Sequence, residues 1–75
     1  PYDDAASFSD GLAVVAKQGK FGYIDTKGKL VIPIQFNLDE GDSIDGYGFN
    51  HGKAKLFKNG KPFCINTSGK TVVCR

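Results

Sequence analysis

Long apolar runs, helical periodicity, excess charge, histidine and methionine are all scarce or missing from this chain, and each scarcity removes a class of function. No apolar stretch approaches the ~18 residues of a membrane span, and the stretch Leu30 to Ile34 is interrupted by Pro33. Membrane insertion is therefore not expected. Ten basic and eight acidic residues leave a net charge of +2, without the dense basic stripe that a nucleic-acid partner calls for. No window places apolar residues at i, i+3, i+4 and i+7, while ten glycines and three prolines interrupt the chain every few positions, so helices are not expected. His51 is the one histidine. A Ser/His/Asp triad would have to combine it with Ser9, Ser43 or Ser68, and no nucleophile elbow surrounds any of them. Zinc wants four ligands with paired short spacings, which Cys64, Cys74 and His51 do not supply. Neither an enzyme nor a metal or other cofactor is expected. Methionine is absent and the chain opens at Pro1 without a charged head and apolar segment, which reads as a processed or excised piece of something longer.

What the chain does have is an internal repeat. Phe8 to Pro33 return as Phe49 to Cys74, forty-one positions later, with eleven identities in twenty-six aligned positions: Phe8/Phe49, Gly11/Gly52, Ala13/Ala54, Lys17/Lys58, Gly19/Gly60, Lys20/Lys61, Ile24/Ile65, Thr26/Thr67, Gly28/Gly69, Lys29/Lys70 and Val31/Val72. Chance would give roughly two. Self-similarity at a fixed period marks small units that bury their apolar faces on each other. The 75 residues make one small domain with a thin core, with repeat units at about 8–34 and 49–75 joined by a linker loop, 35–48.

Between the glycines lie short runs rich in β-branched and aromatic residues. Leu12 to Lys17, Phe21 to Asp25 and Lys29 to Ile34 read as three strands joined by turns at Gln18 to Lys20 and Thr26 to Gly28. The second copy reads as Lys53 to Lys58, Pro62 to Asn66 and Lys70 to Cys74, and its Asn59-Gly60 suits a type I′ hairpin. The expected fold is all-β: two tandem three-stranded antiparallel meanders packed together. Ala13 and Val15, matched by Ala54 and Leu56, mark the face apolar in both copies, and with Ile24/Ile65 and Val31/Val72 they are the expected core. Leu12 and Val14 become Lys53 and Lys55, so that face is expected to be covered in the first copy and wet in the second. The linker lacks strand alternation and carries Asp39, Glu40, Asp42 and Asp45, as a binding loop would.

The strings Phe8-Ser9-Asp10-Gly11-Leu12-Ala13-Val14-Val15, Gly19-Lys20-Phe21-Gly22-Tyr23-Ile24-Asp25 and Gly28-Lys29-Leu30-Val31-Ile32-Pro33 resemble the WG-repeat family of bacterial β-repeats. Phe21 stands where the family usually has its tryptophan, and Pro1 to Ala5 resemble the tail of a preceding repeat. The second copy departs from the pattern at Pro62, Phe63 and Cys64. The resemblance implies a non-catalytic interaction module of a bacterial surface, secreted or signalling protein.

Cys64 and Cys74 leave two readings open. The expected hairpin register puts Cys64 opposite Thr71 or Val72, so Cys74 falls about 7 to 10 Å away, at or beyond the limit for a disulfide. A bulge, or a last strand that peels away, would close the gap; otherwise both thiols stay free. The acidic loop has oxygen ligands but not the spacing of a calcium loop. Most of the aromatics are expected to fill space between the sheets, and Lys53, Lys55, Lys58 and Lys61 read as a solvated face. Tyr23, Phe36, Tyr47, Asp42 and Asp45 are the candidate binding residues. The expected role is docking a protein partner or the parent protein; a carbohydrate or peptidoglycan-binding module stacking sugars on Tyr23 and Tyr47, and an inhibitor or immunity-type protein, are the alternatives. A periplasmic, cell-surface or secreted setting is slightly favoured.

Overall fold

The computed structural model describes residues 2–39 and 41–74. Its elements run β1 (Asp4–Ala5), β2 (Leu12–Lys17), β3 (Lys20–Asp25), β4 (Leu30–Asn37), a 3-10 turn (Ile44–Tyr47), β5 (Lys53–Lys58), β6 (Lys61–Asn66) and β7 (Thr71–Val72). The strands form two antiparallel sheets, β1-β2-β3-β4 and β5-β6-β7. The chain is all-β, made of repeated hairpins. The first meander carries a fourth strand, because Asp4 and Ala5 pair with Ala16 and Val15.

The turns explain the glycine rhythm. Ser9 pairs with Leu12, Lys17 with Lys20, Asn50 with Lys53 and Lys58 with Lys61, so these four loops hold two residues each, and the turn expected over Gln18 to Lys20 is Gln18-Gly19 alone. Asp10, Gln18, His51 and Asn59 all have φ between 53° and 55°, each followed by a glycine at positive φ. Two successive left-handed residues define the type I′ turn, whose twist matches that of the strands it joins. His51 is thus a turn residue, exposed and held in the left-handed region. The third turn of each copy is also shared. Asp25 Oδ1 accepts from the Lys27 and Lys29 amides, both at 2.9 Å, and Asn66 Oδ1 accepts from Ser68 and Lys70 at 2.9 and 3.0 Å. Both need only a side-chain oxygen, which is why Asp and Asn exchange here.

The core lies between the sheets, and it corrects one expectation. Leu12, Val14 and Ala16 of β2, with Phe21, Tyr23 and Ile32, join Ala54, Leu56 and Ile65 of the second sheet in one buried cluster, closed by Ile44 and Phe49. The second copy therefore uses the expected face. The first copy uses the other one. Ala13 and Val15 are buried outside this cluster, Ile24 is half-buried, and Val31 is exposed. The copies are not packed with equivalent faces together; the even face of β2 meets the repeat equivalent of its odd face. That is why Leu12 and Val14 are covered while their counterparts Lys53 and Lys55 are not.

The copies also diverge at their third strands. Opposite Gly22, β4 bulges: Phe21 pairs with Phe36 and Tyr23 with Ile32, leaving three residues of β4 across from one of β3. A Cβ at Gly22 would come within 2.6 Å of the Ile32 carbonyl oxygen and 2.7 Å of the Pro33 carbonyl. Only glycine admits so close a backbone. The second copy has Phe63 at this position, and Pro62 just before it has no N–H to offer a third strand. Accordingly β7 pairs only through Ile65–Thr71 and Cys64–Val72, and the chain beyond Val72 leaves the ladder. There Cys74 turns back to form a disulfide with Cys64 at a Cα separation of 5.2 Å. Closing a loop of this size removes roughly 3 kcal/mol of unfolded-chain entropy on the loop-closure model, a covalent substitute for the missing strand.

Gly22→Ala is expected to lower the melting temperature of the oxidised protein by roughly 10 °C or more. Gly46→Ala, where an added Cβ meets nothing within 4 Å, should shift it by no more than about 2 °C. Equal shifts in calorimetry would remove the bulge as a constraint on the fold.

Candidate functional site

Two aromatic layers lead from the core to the surface. Tyr23 sits at the bottom, fully buried at 0% exposure, with its ring edge-on to Phe49 at 4.9 Å and to Phe21 at 6.1 Å. Its hydroxyl donates to the Tyr47 carbonyl at 2.6 Å. This bond fixes the height of the 3-10 turn above the sheet, and Ile44 pins the other end of the turn in the core. The turn begins at Ser43, whose hydroxyl accepts from the Asp45 amide at 3.3 Å. The Tyr47 ring then stacks on Phe21, with centroids 4.6 Å apart and planes 18° from parallel. Its hydroxyl donates to Asp42 at 2.8 Å. Phe36, on β4, lies 5.5 Å from Phe21 and 6.5 Å from Phe63 of β6.

These side chains border an open groove between the end of the first sheet and the β5–β6 hairpin. Phe36, Asp39, Asp42 and Tyr47 form one wall; Phe57, Lys58, Lys61 and Phe63 form the other. Aromatic rings, two carboxylates and two ammonium groups thus line one open surface.

The five residues singled out from sequence divide three ways. Phe36, Tyr47 and Asp42 come together on the groove. Tyr23 does not reach it: a side chain with no exposed surface cannot stack on a ligand, and its role is to hold the turn that carries Tyr47. Asp45 faces away, into a second cleft with Ser9, His51, Lys53, Lys55 and the disulfide. In that cleft the Ser9 hydroxyl donates to the Phe49 carbonyl, and Asp10 accepts from the Gly52 amide at 2.8 Å, tying the two copies together. Glu40 of the acidic loop lies outside the described residues. Among the described residues no three His, Cys, Asp or Glu side chains converge as metal ligands. The groove also uses Phe57, Phe63, Lys58 and Lys61, which the sequence pattern assigned to packing and to a solvated face. The signal for the two rings was the departure of the second copy from the first: Phe63 replaces Gly22, and Phe57 replaces Ala16; Lys58 and Lys61 match Lys17 and Lys20 and carried no such signal.

The comparisons with known proteins bear on the first half. A family model described as "WG containing repeat" matches residues 2–21 and 21–38. The chain belongs to the WG-repeat family. The matched units meet at Phe21, so the first takes in β1 and β2 and the second takes in β3 and β4. A WG unit is thus one hairpin-sized segment, about half of the internal period. No curated protein and no solved structure matches the chain significantly.

The WG-repeat groove has its own titration signature. Burial, with the nearby Tyr47, pushes the Tyr23 phenol well above the ordinary tyrosine range. Tyr47 is also raised, first by partial desolvation, then by its hydrogen bond to Asp42 and by the charges of Asp42 and Asp39. A raised folded value favours the neutral phenol in the native state, whereas the unfolded phenols ionise near ~10. The stability these groups contribute is therefore complete below that pH and lost as pH rises through their folded values, by up to about 1.4 kcal/mol per pH unit for the buried Tyr23 and by less for the more solvated Tyr47. In urea unfolding above pH ~10, Tyr23→Phe is expected to flatten the alkaline decline, and Asp42→Asn to lower the ultraviolet titration midpoint of Tyr47. An unchanged slope and midpoint would contradict the buried hydroxyl and the Tyr47–Asp42 bond.

Proposed function

We propose that this WG-repeat chain is a non-catalytic module that docks a protein partner, or another part of its parent protein, through the groove between the 3-10 turn and the β5–β6 hairpin. The observation that supports this reading is the groove itself: Phe36, Tyr47 and Phe63 line one open surface, with Phe36 and Phe63 6.5 Å apart and Tyr47 stacked on the Phe21 ring that also meets Phe36. Interface energy concentrates in a few aromatic anchors surrounded by polar rims, and Asp39, Asp42, Lys58 and Lys61, which line the same groove, supply such a rim. Charges of both signs would favour a peptide segment that carries both. The disulfide between Cys64 and Cys74 supports a secreted, periplasmic or cell-surface bacterial setting, because such bridges persist in oxidising compartments.

The test is selection of a phage-displayed peptide library on the oxidised protein. The wild-type chain should enrich a consensus sequence. Tyr47→Ala and Phe63→Ala should weaken the selected peptides by tenfold or so, the cost of an aromatic anchor, and Lys27→Ala should leave them unchanged. Equal effects of Tyr47→Ala and Lys27→Ala would remove the loop from the proposal. Retention on insoluble cell wall, competed by free sugars and lost in Tyr47→Ala, would replace the protein partner with a carbohydrate.

A further inference from the structure

The two copies differ at one sheet edge. In the first sheet β2 has a neighbour on its outer side: Asp3 N–H donates to the Ala16 carbonyl at 2.8 Å, and Ala6 N–H to the Val14 carbonyl at 2.9 Å. The forty-one-residue offset places Lys55 and Phe57 of β5 at the positions of Val14 and Ala16. The segment equivalent to 3–6 is 44–47, which winds into the 3-10 turn and so does not run along β5. β5 is an edge strand, and among the described residues no backbone amide donates to the carbonyls of Lys55 or Phe57.

We propose that the outer edge of β5 accepts an extended acidic peptide segment of a partner protein as an added antiparallel strand, in the way that Asp4–Ala5 fills the equivalent edge of β2. An unpaired edge is a template for strand addition, with main-chain bonds supplying affinity and side chains supplying selectivity. The chain carries its own pattern for the occupant. Asp3 and Asp4 lead the strand that fills the β2 edge, and the Asp3 carboxylate accepts from the Gln18 amide in the next turn at 2.8 Å. The counterpart of Gln18 is Asn59, whose amide has no described acceptor. Lys53 and Lys55 share one face of β5, the Lys53 ammonium donating to the Val73 carbonyl at 2.9 Å, and Lys58, paired with Lys61, follows at the end of the strand on the other face; this positive charge along the edge favours carboxylates. Small residues, Ala5 and Ala6, follow the acids at the β2 edge, and the exposed Phe57 ring with the Lys55 ammonium 5.9 Å from its centroid stands beside the equivalent place on β5. The proposal rests on the docking reading above for the class of ligand, a protein segment, but it concerns the strand edge and not the aromatic groove.

The experiment titrates 15N-labelled, oxidised protein with a synthetic peptide of sequence Tyr-Asp-Asp-Ala-Ala-Ser-Phe and follows backbone amides by NMR. Saturable shifts are expected at Lys55, Phe57 and Asn59. Binding should weaken about threefold or more as salt rises from roughly 50 to 300 mM. Lys55→Glu, an exposed position that keeps the fold, should abolish the shifts, and Phe63→Ala should leave them in place, which separates edge from groove. A peptide with both acids replaced by lysine should not bind. Unmoved β5 amides would overturn the proposal and make the lysines guards against strand pairing. Equal binding of the lysine peptide, shifts confined to β2, or β5 pairing with β5 in a concentration-dependent dimer would overturn it as well.

Discussion

The dry contact between two unlike faces of one repeated hairpin holds this WG-repeat chain together. Leu12, Val14 and Ala16 on one side and Ala54, Leu56 and Ile65 on the other occupy non-equivalent positions of the same unit. Packing equivalent faces would relate the copies by a two-fold axis and close the pair. Packing unlike faces makes the contact head-to-tail and gives the chain a direction. One consequence is chemical asymmetry: the first copy is apolar on both faces of β2, whereas β5 turns Lys53 and Lys55 outward. The outer face of the second copy carries charge and a disulfide in place of a second apolar layer.

Everything at the surface is positioned from that contact. Tyr23 belongs to the seam with its ring and to the loop with its hydroxyl, so a single side chain transmits the packing of the core to the 3-10 turn. Phe21 does the same for Tyr47 by stacking beneath it. The long connection between the copies would otherwise be free chain; with Ile44 buried, Ser43 capping and Tyr47 held by Phe21, Tyr23 and Asp42, it becomes one wall of a groove. The other wall depends on the sequence drift of the second copy. Replacing Gly22 by Phe63 forfeited the bulge that lengthens β4 and placed an aromatic ring at the groove, and the disulfide secures the shortened end.

Much of the fold was legible in the residues. The spacing of Gly19 and Gly28 with Gly60 and Gly69 marked four of the turns, and β-branched runs between them marked five of the strands to within a residue or two; the turns at Gly11 and Gly52 emerged from the structure. The face that packs was not legible, because Leu12 to Ala16 are apolar on both sides and alternation cannot rank two apolar faces; only the neighbouring sheet decides. The role of Gly22 was hidden for a related reason: in the sequence it reads as one more punctuation mark, and the backbone that crowds it comes from ten residues further on. Cys64 was placed opposite Thr71 or Val72, and Val72 is its partner, yet bridging to Cys74 depended on where β7 stops, which Pro62 and Phe63 determine through a missing donor and an added side chain. At the candidate site, Tyr47, Phe36 and Asp42 were legible as loop and aromatic residues and line one groove, while Tyr23 could not be told from an exposed tyrosine without knowing what lies over it.

Methyl NOE spectroscopy on the selectively labelled, oxidised chain tests the unlike-face seam most directly. The account requires cross-peaks that connect Leu12, Val14 and Ala16 with Ala54, Leu56 and Ile65, and none from Ala13 or Val15 to the second sheet. Cross-peaks joining Ala13 and Val15 to Ala54 and Leu56 would mean that equivalent faces meet, and the head-to-tail arrangement would be wrong.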